Sequence, residues 1–114
     1  MNRNLNYIHK DLADGRWNKL SLVEQMANIG SEVGRTIKWK NKGNQKSSSS
    51  ALDRVLELSD FTIDDPKNVG SLKEITRMRE VLVDYFLGDN IYGSSDDNLE
   101  KYFYAFGYAA RINK

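Results

Sequence analysis

The chain contains no cysteine, one histidine and one proline among 114 residues. Without thiols there is no disulfide framework, no thiolate metal site and no cysteine nucleophile, which fits a reducing compartment. No apolar run approaches the roughly 18 residues a membrane span needs. The opening stretch MNRNLNYIHKDLADGR has no continuous apolar core and carries Asp11 and Asp14, so it does not read as a secretory signal. A cytoplasmic protein that makes no membrane contact is the expectation. No segment alternates apolar and polar residues long enough to read as a strand.

Catalytic patterns are missing as well. There is no Glu-x-x-His pair of the kind that holds carboxylate-bridged metals in helical bundles, and no Walker loop, nucleophile elbow or dinucleotide fingerprint. His9 sits among asparagine, tyrosine and lysine and reads as solvated. Glu80 and Asp84 stand one helical turn apart, as a metal pair would. The helical wheel sets them opposite the Leu72, Ile75, Leu82 and Phe86 side, with Lys73 and Arg77 on their own strip, which favours a solvated charge ladder. No catalytic residue, metal or cofactor is expected.

What is present is a repeated helical pattern in a chain of one domain's length. The first helix opens at Ser21, whose spacing to Glu24 is a capping box. Leu22, Met26, Ile29, Val33 and Ile37 follow as one apolar stripe, and Gly43 is placed to end it. The second is expected to open in the Ser47–Ser50 tract, with Ser50 and Asp53 as its box. Its inner face is Leu52, Val55, Leu56, Ser59, Thr62 and Ile63, and it stops before Pro66. Ser71 and Glu74 box the third, which buries Leu72, Ile75, Met78, Leu82, Tyr85 and Phe86. Asp96 or Asp97 caps the fourth, with Leu99, Tyr102, Phe103, Phe106, Ala109 and Ala110 inward. Connections of about six to eight residues make sequential helices antiparallel neighbours. The expected architecture is all-α: an up-down-up-down antiparallel four-helix bundle over residues 21–114, with a short N-terminal extension over 1–20. Leu5, Ile8 and Leu12 give that extension a means of docking, and Trp17 with Leu20 reads as a hydrophobic staple at the bundle end.

Two surface features point to binding. Charge is uneven: residues 1–50 carry nine Lys/Arg against four Asp/Glu, and residues 51–114 carry eight against twelve. Arg35, Lys38 and Lys42 fall on the outer strip of the first helix, with Lys40, Lys46 and Trp39 beside them. Cations here offset the negative end of the helix dipole. They also form a phosphate-contacting patch with an aromatic ring available for stacking. In the fourth helix Tyr104, Tyr108 and Ile112 project away from the inner face, and a helix apolar on two sides has an interface or a larger core to enter. A third feature is structural: Val23, Ala27, Gly30 and Gly34 make a smooth strip that predicts a close helix–helix approach.

The runs Trp17–Arg35, Trp39–Asn44, Arg79–Phe86 and Lys101–Tyr104 resemble a family of short, uncharacterised bacterial proteins over about residues 17–113. That resemblance implies one domain and no particular activity. In size and helical layout the chain is also similar to the four-helix proteins encoded in ribosomal-RNA intervening sequences and to the accessory variability determinants of diversity-generating retroelements. This likeness implies a self-associating bundle with a basic nucleic-acid-binding surface.

These readings converge on a non-catalytic, self-associating helical module that touches RNA or DNA through Arg35, Lys38, Trp39, Lys40, Lys42 and Lys46. Tyr104, Tyr108 and Ile112 would build the homo-oligomer. The alternatives are a protein-interaction module without nucleic acid and, less favoured, a metal-dependent nucleotide hydrolase using Glu80 and Asp84.

Overall fold

The computed structural model describes residues 15–112, which hold four α-helices and no strand. They are α1 (Leu22–Asn41), α2 (Gln45–Asp64), α3 (Leu72–Leu87) and α4 (Asp96–Ile112). Short 3-10 turns at Trp17–Lys19 and Pro66–Ser71 precede α1 and α3. The apolar triplet Leu5, Ile8 and Leu12, and His9, lie outside the described residues.

α1 begins as its sequence predicts. The Ser21 hydroxyl accepts from the Glu24 N–H at 3.1 Å, and the Glu24 carboxylate accepts from the Ser21 N–H at 2.9 Å. Its end is equally legible. Gly43 takes φ +77°, while its N–H donates to the Lys40 carbonyl and that of Asn44 donates to the Trp39 carbonyl. This paired closure satisfies carbonyls that the last turn leaves open.

Two expected starts move, and the third helix starts after Ser71 as expected but without its side-chain cap. α2 opens at Gln45 rather than inside the serine tract, because Asn44 caps it by accepting from the Ser47 N–H at 3.0 Å. Lys42–Asn44 is therefore the whole link between α1 and α2, shorter than expected. Ser71 makes no side-chain cap; it ends a 3-10 turn begun by Pro66, and Asp65 caps that turn through the Lys67 N–H. At α4 the hydroxyl of Ser95, not Asp96 or Asp97, accepts from the Asn98 N–H.

α1 packs against both α2 and α4, and α2 packs against α3. Late α1 meets early α2 where Ser48 donates to the Thr36 carbonyl, and early α1 meets the end of α2 where Gln25 donates to Asp65. Lys40 likewise reaches Asp96 at the start of α4, and Gly30 touches Phe103 near its middle. Met26, Ile29, Val33, Ile37, Leu52, Val55, Leu58, Ile75, Met78, Leu82, Leu99 and Phe103 are buried together with Trp17. Each such aliphatic or aromatic side chain contributes roughly 1.5–3 kcal/mol by leaving water. Leu58 joins the core where the sequence pattern favoured Leu56, which lies half-buried at its edge. Leu72, in the first turn of α3, stays exposed. α3 and α4 face one another across an apolar cleft of about 280 Å³ floored by Met78, Leu82, Leu99 and Phe103. Tyr102 stands at its rim rather than in the core, its hydroxyl donating to Glu74 at 2.9 Å.

Candidate interaction surfaces

Among the described residues no three or more His, Cys, Asp or Glu side chains converge in a way that could hold a metal ion. Glu80 and Asp84 have other occupations. Asp84 accepts from the backbone N–H groups of Ile91 and Tyr92 at 2.8 and 3.1 Å, and Glu80 accepts from the Tyr92 hydroxyl. With Asn90 at φ +55° exchanging hydrogen bonds with Ser94, they shape the turn between α3 and α4.

The densest buried polar group is one that the sequence pattern did not reveal. Gln25 is fully buried and donates to the Trp17 carbonyl at 3.0 Å and to Asp65 at 2.8 Å. Asn68 donates to the Gln25 amide oxygen and to the Thr62 carbonyl, and the Trp17 indole donates to the Thr62 hydroxyl at 2.9 Å. Burial pushes the Asp65 carboxyl up, but hydrogen bonds from Lys67 and Gln25 outweigh it and hold the group below its ordinary value. Among the described residues no buried side-chain polar atom is left without a partner, so this node is a clasp rather than an open site. The one available signal was Gln25, a polar residue beside Met26 on the edge of an apolar stripe.

At the other end, the basic residues divide. Lys40 is drawn inward: its ammonium lies 2.9 Å from Asp96 and 3.2 Å from the Tyr85 hydroxyl, and 4.8 Å above the Tyr85 ring. Tyr85 in turn donates to Asp96 at 2.5 Å. Burial lowers Lys40, yet its bonds to Asp96 and Tyr85 prevail and hold it above its ordinary value. Burial raises Asp96, while hydrogen bonds from Tyr85, Lys40 and Asn41 prevail and keep it below the usual carboxylate range. Arg35 is paired with Glu32 at 2.7 Å, and Arg54 holds the other oxygen of that carboxylate. Lys38, Lys42 and Lys46 are exposed and make no ion pair among the described residues, and the Lys42 ammonium lies 5.6 Å from the half-buried Trp39 ring. Of the six residues grouped on sequence grounds, three thus remain as cations without an ion pair among the described residues, and one of them, Lys42, lies over the Trp39 ring.

The outer side of α4 is the second surface. Tyr104, Tyr108 and Ile112 are 65%, 52% and 61% exposed, and the two tyrosine rings stack at 6.5 Å with 23° between planes. Beside them the smooth strip of α1 divides in two. Gly30 is where the helices touch: a Cβ there would fall 2.6 Å from the Cβ of Phe103. One turn later, a Cβ on Gly34 would meet nothing within 4 Å. Ala27, Ser31, Gly34 and Gly107 consequently line a shallow groove against Tyr104.

Among the described residues no helix is long and apolar enough to cross a membrane. Compared with protein-family models, curated proteins and solved structures, the chain matches none of them.

Proposed function

We propose that this protein is a non-catalytic, self-associating helical module of the cytoplasm, built as an up-down-up-down bundle. The contact register supports that topology, since late α1 meets both early α2 and early α4, and Asp60 of α2 pairs with Arg79 of α3. The observation that carries self-association is α4. Its inner side is spent on the core through Leu99 and Phe103, yet its outer side still offers two stacked tyrosines and an isoleucine to water. Tyrosine supplies contact area at little rotamer cost and is enriched at interfaces.

Light scattering behind size-exclusion chromatography tests this directly. The full chain should run above the 13.1 kDa monomer mass. A Tyr104→Ser/Tyr108→Ser variant should return to that mass with unchanged helical circular dichroism. A wild-type chain that stays monomeric at high concentration rejects the reading.

A second reading, contact with RNA or DNA, is favoured by Lys38, Lys42 and Lys46, which are exposed and make no ion pair among the described residues, with the Lys42 ammonium over the Trp39 ring. Repeated in an assembly, such a patch tracks a phosphate backbone, and its affinity falls with salt. The same samples titrated with labelled RNA and DNA check it: reversing the three lysines should abolish binding and its salt dependence, and unchanged binding dismisses it. Arg35 and Lys40, already engaged within the fold, should matter less.

A further inference from the structure

We infer that the chain pairs with a second copy of itself through α4 packed antiparallel on α4, with Tyr104 at the two-fold axis. The inference rests on the self-association just proposed and specifies its geometry. At 100° per residue, Asp97, Glu100, Tyr104, Tyr108 and Arg111 fall within about 40° of one line along α4. All five are exposed. The stripe is acidic at its start, aromatic in the middle and basic at its end. Asp97 and Glu100 make no ion pair among the described residues, and the guanidinium of Arg111 lies back along the helix, 5.9 Å from the Tyr104 ring.

A stripe of that order is complementary to itself only when reversed. Antiparallel pairing about Tyr104 sets Tyr104 against Tyr104, Tyr108 against Glu100 and Arg111 against Asp97, and the symmetry makes each unlike contact twice. Parallel pairing would set acid on acid and base on base. The opposed helix dipoles favour the same choice, since each positive end then lies beside a negative one. The shallow groove of Ala27, Ser31 and Gly34 lets the second copy approach, because these α1 residues beside Tyr104 are small and Gly34 faces open space. Charge order thus names the occupant of this face as another copy of the chain.

Charge exchange tests the pairing. Asp97→Arg and Arg111→Asp are made separately, each on an exposed residue, and circular dichroism checks their folding. Each alone sets like charges together at both symmetric contacts and should weaken self-association about tenfold or more. Mixing the two restores unlike pairs at both contacts, so a one-to-one heterodimer should form by light scattering. As a second measurement, Tyr104→Cys introduces the only thiol in the chain. It should cross-link two copies under mild oxidation, whereas Lys42→Cys at the far end of α1 should not. An oligomeric wild type whose assembly ignores both charge changes, or a mixture that fails to recover, overturns the α4 pairing and leaves self-association standing. A Tyr104→Cys chain that still self-associates by light scattering but does not cross-link overturns it likewise. A monomeric wild type removes both.

Discussion

Two glycines one turn apart in α1 do opposite work, and neither is explained by glycine's backbone freedom. Gly30 is required by contact, because the missing methyl is the space occupied by Phe103. Gly34 has open space in the same direction. Gly30→Ala should therefore destabilise the fold by about 1–3 kcal/mol through overpacking, despite the better helix propensity of alanine. Gly34→Ala should stabilise it by up to about 1 kcal/mol, the helical advantage of alanine over glycine. Urea denaturation of the two variants separates these outcomes by sign. The smooth strip was legible in the sequence, but which glycine met a neighbour was not. Spacing alone gives the face of a helix, whereas the touching point depends on where Phe103 of another helix crosses it. The same limit hid the fate of Lys40, which shares a sequence cluster with Lys38 and Lys42 but finds Asp96 and Tyr85 from distant elements.

Helix ends tell a similar story at the next scale. Ser21 and Gly43 open and close α1 as their local patterns indicate, since both motifs are complete within a few residues. Ser71 and Glu74 have the same box spacing as Ser21 and Glu24, yet Ser71 makes no cap. Pro66 fixes the backbone early, Asp65 takes the capping role, and the resulting 3-10 turn brings Ser71 in at φ −114°, ψ 13°. A motif that depends on four residues loses to a turn that starts five residues before it. Ser21→Ala and Asn44→Ala should each cost about 1 kcal/mol in thermal or chemical unfolding, the usual worth of a cap. Ser71→Ala should fall close to wild type. Equal losses at Ser21 and Ser71 would contradict the caps described here. The acidic pair Asp96–Asp97 misled for a different reason: Ser95 immediately before it caps α4, which frees Asp96 to bind Lys40 and Tyr85.

For the molecule as a whole, two carboxylates sit at opposite ends of α1 and tie its neighbours to it. Asp65 joins the Trp17–Gln25 clasp, and Asp96 joins α1, α3 and α4 through Lys40 and Tyr85. Both are held below the ordinary value of 3.8 in the fold. A depressed carboxylate stabilises the folded state fully above its unfolded value and loses that contribution as pH falls through the folded one. The melting temperature should therefore be nearly level from pH 7 to about pH 5 and drop below about pH 4. Asp65→Asn should lower stability at neutral pH by about 1–3 kcal/mol, because its amide opposes the donors of Gln25 and Lys67. It should also make the acid drop shallower. An acid limb unchanged in that variant would show that Asp65 does not contribute to it.

The all-helical class and most of the core were readable from periodicity, because each stripe is written locally. The buried clasp was not, since it joins Trp17, Gln25, Thr62, Asp65 and Asn68 across three separated stretches of chain. The cleft between α3 and α4 carries its own consequence. α1 is held on two sides, whereas between α3 and α4 the helix-to-helix hydrogen bonds among the described residues are those from Tyr102 to Glu74 and from Tyr85 to Asp96. Cohesion is therefore lopsided: the chain has a spine along α1 and a seam opposite it. The floor residues Met78, Leu82, Leu99 and Phe103 lie under that seam, whereas the clasp joins the turn at Trp17 to α1 and α2, so amide exchange should be faster in α3 and α4 beside the cleft than in α1.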